Sequence, residues 1–127
     1  MRVTVNGIDL AVQADGPEDA PVIILHHTLA TSRAMWREQV AHLAPRYRVI
    51  GFDARGHGES AAPDYPYSLE MLAEDVIGVL DGLGVKQPAI FMGISIGGMV
   101  GQALGLPPAM RRYLRNSSST VPTMAAP

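Results

Sequence analysis

The 127-residue chain sets one serine between two glycines at Gly93-Ile94-Ser95-Ile96-Gly97, the spacing G-x-S-x-G. That spacing is chemically useful where a strand turns sharply into a helix. The glycines clear space beside the turn, the serine hydroxyl stands out at the end of the sheet, and the following amide faces a developing oxyanion. Ser95 is therefore the candidate nucleophile, Gly93 and Gly97 its elbow glycines, and Ile96 N–H one oxyanion donor. A second donor should come from the loop after the first buried strand, His26-His27-Thr28-Leu29-Ala30-Thr31, where small residues allow close backbone approach. Leu29 N–H is the candidate. His26 and His27 are read as structural, with an imidazole bonding loop backbone; adjacent on a strand, they would point to opposite faces and make poor joint metal ligands. Asp53, Arg55 and His57, in a stretch punctuated by Gly56 and Gly58, are read as a charged, hydrogen-bonded turn that fixes the functional edge of the sheet. Met35 and Trp36, at helical spacing, are read as packing residues.

The elements that would position these groups follow from periodicity. Val3 and Val5, then Ile8, Leu10 and Val12, alternate with polar residues around Asn6-Gly7, which predicts an N-terminal hairpin. Residues 21–25 form a continuous apolar run, as in a parallel strand covered on both faces. Trp36, Val40 and Leu43 predict a helix over 33–44, with Ser32 as its cap and Pro45 closing it. Tyr47 to Phe52 gives a second buried strand. Ser68 caps a clearer helix whose Leu69, Leu72, Val76, Val79 and Leu83 share one face, ended by Gly82 and Gly84. Residues 89–92 give a third strand running into Gly93-Ile-Ser-Ile-Gly-Gly98, and a further helical pattern continues through Met99, Val100, Ala103 and Leu104. The order is α/β: an antiparallel hairpin followed by parallel strands with crossover helices.

Composition narrows the field. With 47% apolar and 17% charged residues the chain reads as a single globular domain. Ten basic against twelve acidic residues, net −2, offer no basic field for nucleic acid. Cysteine is absent, which removes disulfides, thiolate metal sites and cysteine nucleophiles. No apolar run approaches the ~20 residues of a membrane span, and the first ten residues do not resemble a signal peptide, so a cytoplasmic protein without membrane contacts is expected. The last 17 residues carry three arginines and no acid. They belong to a loop-like tail read over 107–127, beyond a core over 1–106.

With those residues in view, the chain resembles the α/β-hydrolase superfamily, and within it the esterase and 3-oxoadipate enol-lactonase-like branch. Three ordered blocks carry the resemblance: His27-Thr-Leu-Ala-Thr-Ser-Arg-Ala-Met-Trp36, Phe52-Asp-Ala-Arg-Gly-His-Gly-Glu-Ser60 and Gly93-Ile-Ser-Ile-Gly-Gly98. It implies the α/β-hydrolase fold, Ser95 as nucleophile and the Ile96 and Leu29 amides as oxyanion hole. The substrate would be a small carboxylic ester or lactone, and neither a cofactor nor a metal is implied. A serine at the elbow disfavours the branches that use carboxylate nucleophiles, haloalkane dehalogenases and epoxide hydrolases.

The departures define the main expectation. In this family the acid and the histidine follow the serine, yet the 32 residues after Ser95 contain no Asp, Glu or His. The chain thus reads as the N-terminal half of a family domain, and Thr28 stands where a His-Gly pair commonly has glycine. Four arrangements would reconcile the elbow with the missing base: a cleaved or split enzyme completed by a second chain, a homodimer supplying a histidine in trans, His27 or His57 as a substitute base, or an inactive truncated product. The fragment arrangements are preferred. Strand 89–93 and the weak Tyr113-Leu114 segment would leave a sheet edge that invites a complementary chain. The alternative class is a binding or assembly module that keeps the half-fold without its chemistry.

Overall fold

Asn6 and Gly7 both take positive φ, 50° and 82°, the backbone of a primed two-residue turn. They join β1 (Arg2–Val5) to β2 (Ile8–Asp15) as the expected antiparallel hairpin, with Val5 opposite Ile8. The computed structural model describes residues 1–64 and 66–105. The expected tail over 107–127, its Tyr113-Leu114 segment and the last residue of the expected 1–106 core lie outside the described residues.

Three further strands complete the sheet: β3 (Val22–His26), β4 (Arg48–Phe52) and β5 (Ile90–Gly93). The spatial order is β1-β2-β4-β3-β5. β4 pairs antiparallel with β2 and parallel with β3, which also pairs in parallel with β5. All five residues of β3 are buried, as a strand with helices on both faces requires. On one face Ile24, Ile50, Phe52 and Phe91 pack with Val76, Val79 and Leu80 of α2 (Leu69–Gly82) and with Val100 and Leu104 of α3 (Ile96–Gly105). On the other, Ile23, Leu25 and Val49 pack with Trp36, Val40 and Leu43.

Two helices differ from their sequence patterns. Ser32 does cap, accepting the Ala34 N–H at 3.3 Å, but residues Arg33–Trp36 form a 3₁₀ turn before α1 (Arg37–Leu43) begins. Asp53 draws the Arg33 amide and guanidinium toward the end of β4, and Trp36 is buried against the sheet. Both tighten the first turn. In α2 the Ser68 cap holds as expected, accepting the Met71 N–H at 3.1 Å. Its buried face, however, is Ala73, Asp75, Val76, Val79 and Leu80, with Leu69, Leu72 and Leu83 only partly covered. The helix packs against the hairpin as well as the sheet, and Gly78 and Gly82 permit it. A Cβ there would come within 2.3 Å of a Val5 methyl and 2.5 Å of a Val3 methyl. No helix among the described residues is long and apolar enough to cross a membrane.

The strand order positions the site. After β4 the chain crosses to the far side of β3, so β3 lies between β4 and β5, and the helices that follow β3 and β5 pack on opposite faces of the sheet. Such a switch point opens a crevice at the carboxyl ends of the strands. His26 and Gly93, the last residues of β3 and β5, are register partners there.

Candidate active site

Ser95 follows Gly93 by two residues and takes φ 58°, in the left-handed region that costs a non-glycine residue roughly 1–2 kcal/mol. Its side chain is exposed, and its carbonyl already accepts from Met99 N–H at 3.0 Å as α3 begins. The flanking glycines are sterically required. A Cβ on Gly93 would lie 2.5 Å from the Gly97 carbonyl carbon, and one on Gly97 would lie 2.5 Å from the His26 carbonyl oxygen. Both obstacles are backbone and cannot swing aside. Gly97 thus lets α3 start directly against the end of β3.

Opposite the turn, the loop after β3 carries Leu29, whose side chain is 61% exposed, and Ala30, held at φ 60°. Leu29 and Ile96 line one cavity of about 120 Å³ together with His26, His27, Arg55, His57, Tyr67 and Leu72. Among the described residues, neither the Leu29 nor the Ile96 amide donates to any protein acceptor. Two residues with unused backbone donors therefore line one small cavity, and the second, Ile96, directly follows Ser95 at a helix start. That arrangement suits an oxygen that gains negative charge.

The histidines divide by what their ring nitrogens do. Ala54 N–H can only donate, so His27 Nε2 accepts from it at 2.9 Å, and Nδ1–H donates to the Thr28 carbonyl at 2.7 Å. His27 is neutral with both nitrogens engaged, and burial holds its pKa below the usual value. It ties the loop after β3 to the turn after β4 and has no lone pair left to act as a base. His57 Nδ1 bonds the Arg55 carbonyl at 3.1 Å, and its ring stands 5.0 Å from that of His27. The expectation that His26 and His27 face opposite ways is corrected. β3 ends at His26, strand alternation does not reach His27, and both rings line the same cavity with centroids 5.6 Å apart.

Two buried carboxylates hold this wall in place. Asp53, 1% exposed, accepts from the Arg33 amide at 2.7 Å, the Arg33 guanidinium at 2.5 Å and the Glu59 amide at 2.9 Å. Gly58 passes so close that a Cβ would lie 2.3 Å from Asp53 Oδ2. Ser60 Oγ donates to the Asp53 carbonyl and accepts from Ala11 N–H, fastening the turn to β2. The structural reading of Asp53 and Arg55 is thus what the geometry shows. Asp75 was missed. It forks onto Arg55, Oδ2 to Nε at 2.6 Å and Oδ1 to Nη2 at 2.8 Å, and also accepts from Asn6 Nδ2 at 2.9 Å. The signal was available: position 75 lies three residues after Leu72 and four before Val79, a charge on the apolar stripe of α2.

The pattern of a family described as alpha/beta hydrolase fold matches residues 21–111. The chain belongs to the α/β-hydrolase family. It is 43% identical over 120 residues to 3-oxoadipate enol-lactonase 1 of Acinetobacter baylyi, covering 94% of this chain and 43% of that protein. A second enol-lactonase of the same organism is 40% identical over 104 residues, covering 82% and 39%. The crystal structure of the enol-lactonase from Burkholderia xenovorans LB400 superposes with a TM-score of 0.82 at 42% identity, covering 87% of this chain and 43% of that one. The chain is therefore enol-lactonase-like in sequence and fold, and it spans less than half the length of these relatives, matching the N-terminal portion of the fold.

Proposed function

We propose that the chain supplies the nucleophile and oxyanion hole of a hydrolase for small carboxylic esters or lactones. The observation that carries this is that Leu29 and Ile96, whose amides are unengaged, line one cavity, and that Ile96 directly follows the positive-φ Ser95. Ser95 Oγ attacks the carbonyl carbon, and the two amides hold the resulting oxyanion. Collapse breaks the ester C–O bond, leaves an acyl group on Ser95 and releases the alcohol, which takes up the hydroxyl proton; water then frees the acid. Two relatives being 3-oxoadipate enol-lactonases supports a lactone or ester as substrate.

The proton needs a carrier. His27 is engaged at both nitrogens, and no Asp, Glu or His follows Ser95 in these 127 residues. On this reading the acid and histidine are supplied by a second chain or a further segment, with His57, whose Nδ1 bonds the Arg55 carbonyl, the substitute base within this stretch. Alone, the site should retain about 10³–10⁴-fold catalysis over water from the oxyanion hole and binding. A binding or assembly module without chemistry is the second reading, favoured by the same absence. Incubation with a fluorophosphonate, followed by intact mass over a long time course, separates them: one adduct, formed slowly at the residual rate that the oxyanion hole supports without a base, is expected on the wild type and none on Ser95→Ala. An unlabelled wild type beside correctly folded protein would leave the module reading standing.

A further inference from the structure

His26 lines the cavity with a ring whose chemistry nothing above uses. It is 1% exposed, and its Nδ1 bonds the His27 carbonyl at 2.9 Å. A carbonyl only accepts, so Nδ1 carries the proton and Nε2 carries a lone pair. That Nε2 is buried without a hydrogen-bond partner. The rest of the ring is enclosed by aromatic carbon, edge-on to Phe52 at 5.2 Å and beside Phe91 at 6.3 Å. Neither neighbour offers an N–H or O–H. A buried acceptor left unmade costs about 1–3 kcal/mol, so such groups are retained where something fills them. The open space beside this ring from which a donor could come is the cavity that His26 lines. Burial also pushes the His26 pKa down to about 4, so near neutral pH the ring stays an acceptor and would repel no cation and attract no anion.

Leu29 and Ile96 line the same cavity, and its volume of about 120 Å³ keeps the three residues within the span of a short molecule. Resting on the reading of those amides as the oxyanion hole, we propose that His26 Nε2 accepts a hydrogen bond from the substrate itself. The favoured substrate is then an ester or lactone bearing a hydroxyl or amide N–H within a few bonds of its scissile carbonyl. The carbonyl oxygen takes the two amides while the hydroxyl or N–H reaches His26. An acyl chain without a donor leaves Nε2 empty and binds more weakly. One hydrogen bond of ordinary strength corresponds to about a tenfold preference.

Binding of product-like acids tests this without any turnover. Titration calorimetry with 3-hydroxybutyrate and with butyrate, on the wild type near pH 7, should show the hydroxy acid bound about tenfold tighter. In parallel, the His26 Nε2 resonance should move on adding the hydroxy acid and not on adding butyrate. His26→Phe should erase the preference. His26→Gln, which keeps an acceptor, should retain part of it and serves if the Phe variant fails to fold; His42→Phe, at an exposed position of α1 outside the cavity lining, should leave it intact. Equal affinity for the two acids in the wild type would overturn the proposal. So would a preference that survives in His26→Phe, or a water that stays on Nε2 with the hydroxy acid bound. Ser95→Ala should keep the preference, so failure of serine labelling and failure of this proposal are read separately.

Discussion

Replacing Asp75 by Asn should be the most damaging near-isosteric change in the described core. The carboxylate forks onto Arg55 at 2.6 and 2.8 Å, and the two side chains are only 7% and 2% exposed. Asn keeps the volume and removes the anion, so Arg55 is left as a buried charge with half of its partner facing it as N–H. Breaking one side of a buried pair costs about 3–5 kcal/mol. At roughly 4 °C per kcal/mol for a domain of this size, that lowers Tm by more than about 10 °C. The loss should reach the site as well, because the Arg55 carbonyl bonds the His57 ring and the preceding amide holds His27. Fluorophosphonate labelling of Ser95 should therefore slow in the folded variant. Urea and thermal melts of the wild type, Asp75→Asn and the double variant Arg55→Met with Asp75→Leu provide the assay. The double variant should recover most of the stability, since an apolar pair of similar volume replaces a buried ion pair at little cost. Two results would refute the reasoning: Asp75→Asn within about 1 kcal/mol of the wild type, as for a surface pair, or a double variant no better than the single one.

Two further expectations concern the cavity. His26 has an ordinary pKa of 6.5 when unfolded and about 4 when folded. Between those values the unfolded chain binds the extra proton, so stability is full above pH 6.5 and falls as pH drops toward 4, by up to about 3 kcal/mol. His27, lowered in the same direction by burial, adds to the slope. Melts of His26→Phe across that range should be flatter than wild type, and an equally steep profile would show that His26 is not the source. Ser95 at φ 58° carries strain that glycine would relieve; Ser95→Gly should raise stability by about 1 kcal/mol while abolishing serine labelling. A destabilised Ser95→Gly would mean that the hydroxyl, rather than the turn, is what the fold needs.

Local physics accounts for what the sequence made legible. Asn6-Gly7, the Ser68 cap and the glycines around Ser95 each act within a few residues, and each demands a residue type that can be read without knowing the fold. The remainder depends on partners that only the sheet brings together. Asp75 and Arg55 lie twenty residues apart along the chain. The tilt of α2 that buries them is set by Gly78 and Gly82 against Val5 and Val3 of the hairpin, not by the Leu69, Leu72 and Leu83 stripe. The 3₁₀ start at Arg33 likewise answers to Asp53, across the sheet end.

The two proposed oxyanion donors are legible only through the motifs around them, because they are backbone amides. Any residue could stand at 29 or 96; what matters is that the turn at Ala30 and the start of α3 leave those N–H groups without an acceptor. His26 makes the same point from the side-chain side. Its identity alone cannot say whether a histidine is satisfied. In His27, one residue away, Ala54 closes the last lone pair; in His26 two phenylalanine rings surround one and offer it nothing. The difference between a tie and a binding group is therefore set by which neighbour the fold delivers. That makes the ligand's own donor, rather than any residue of the chain, the missing half of the His26 hydrogen bond.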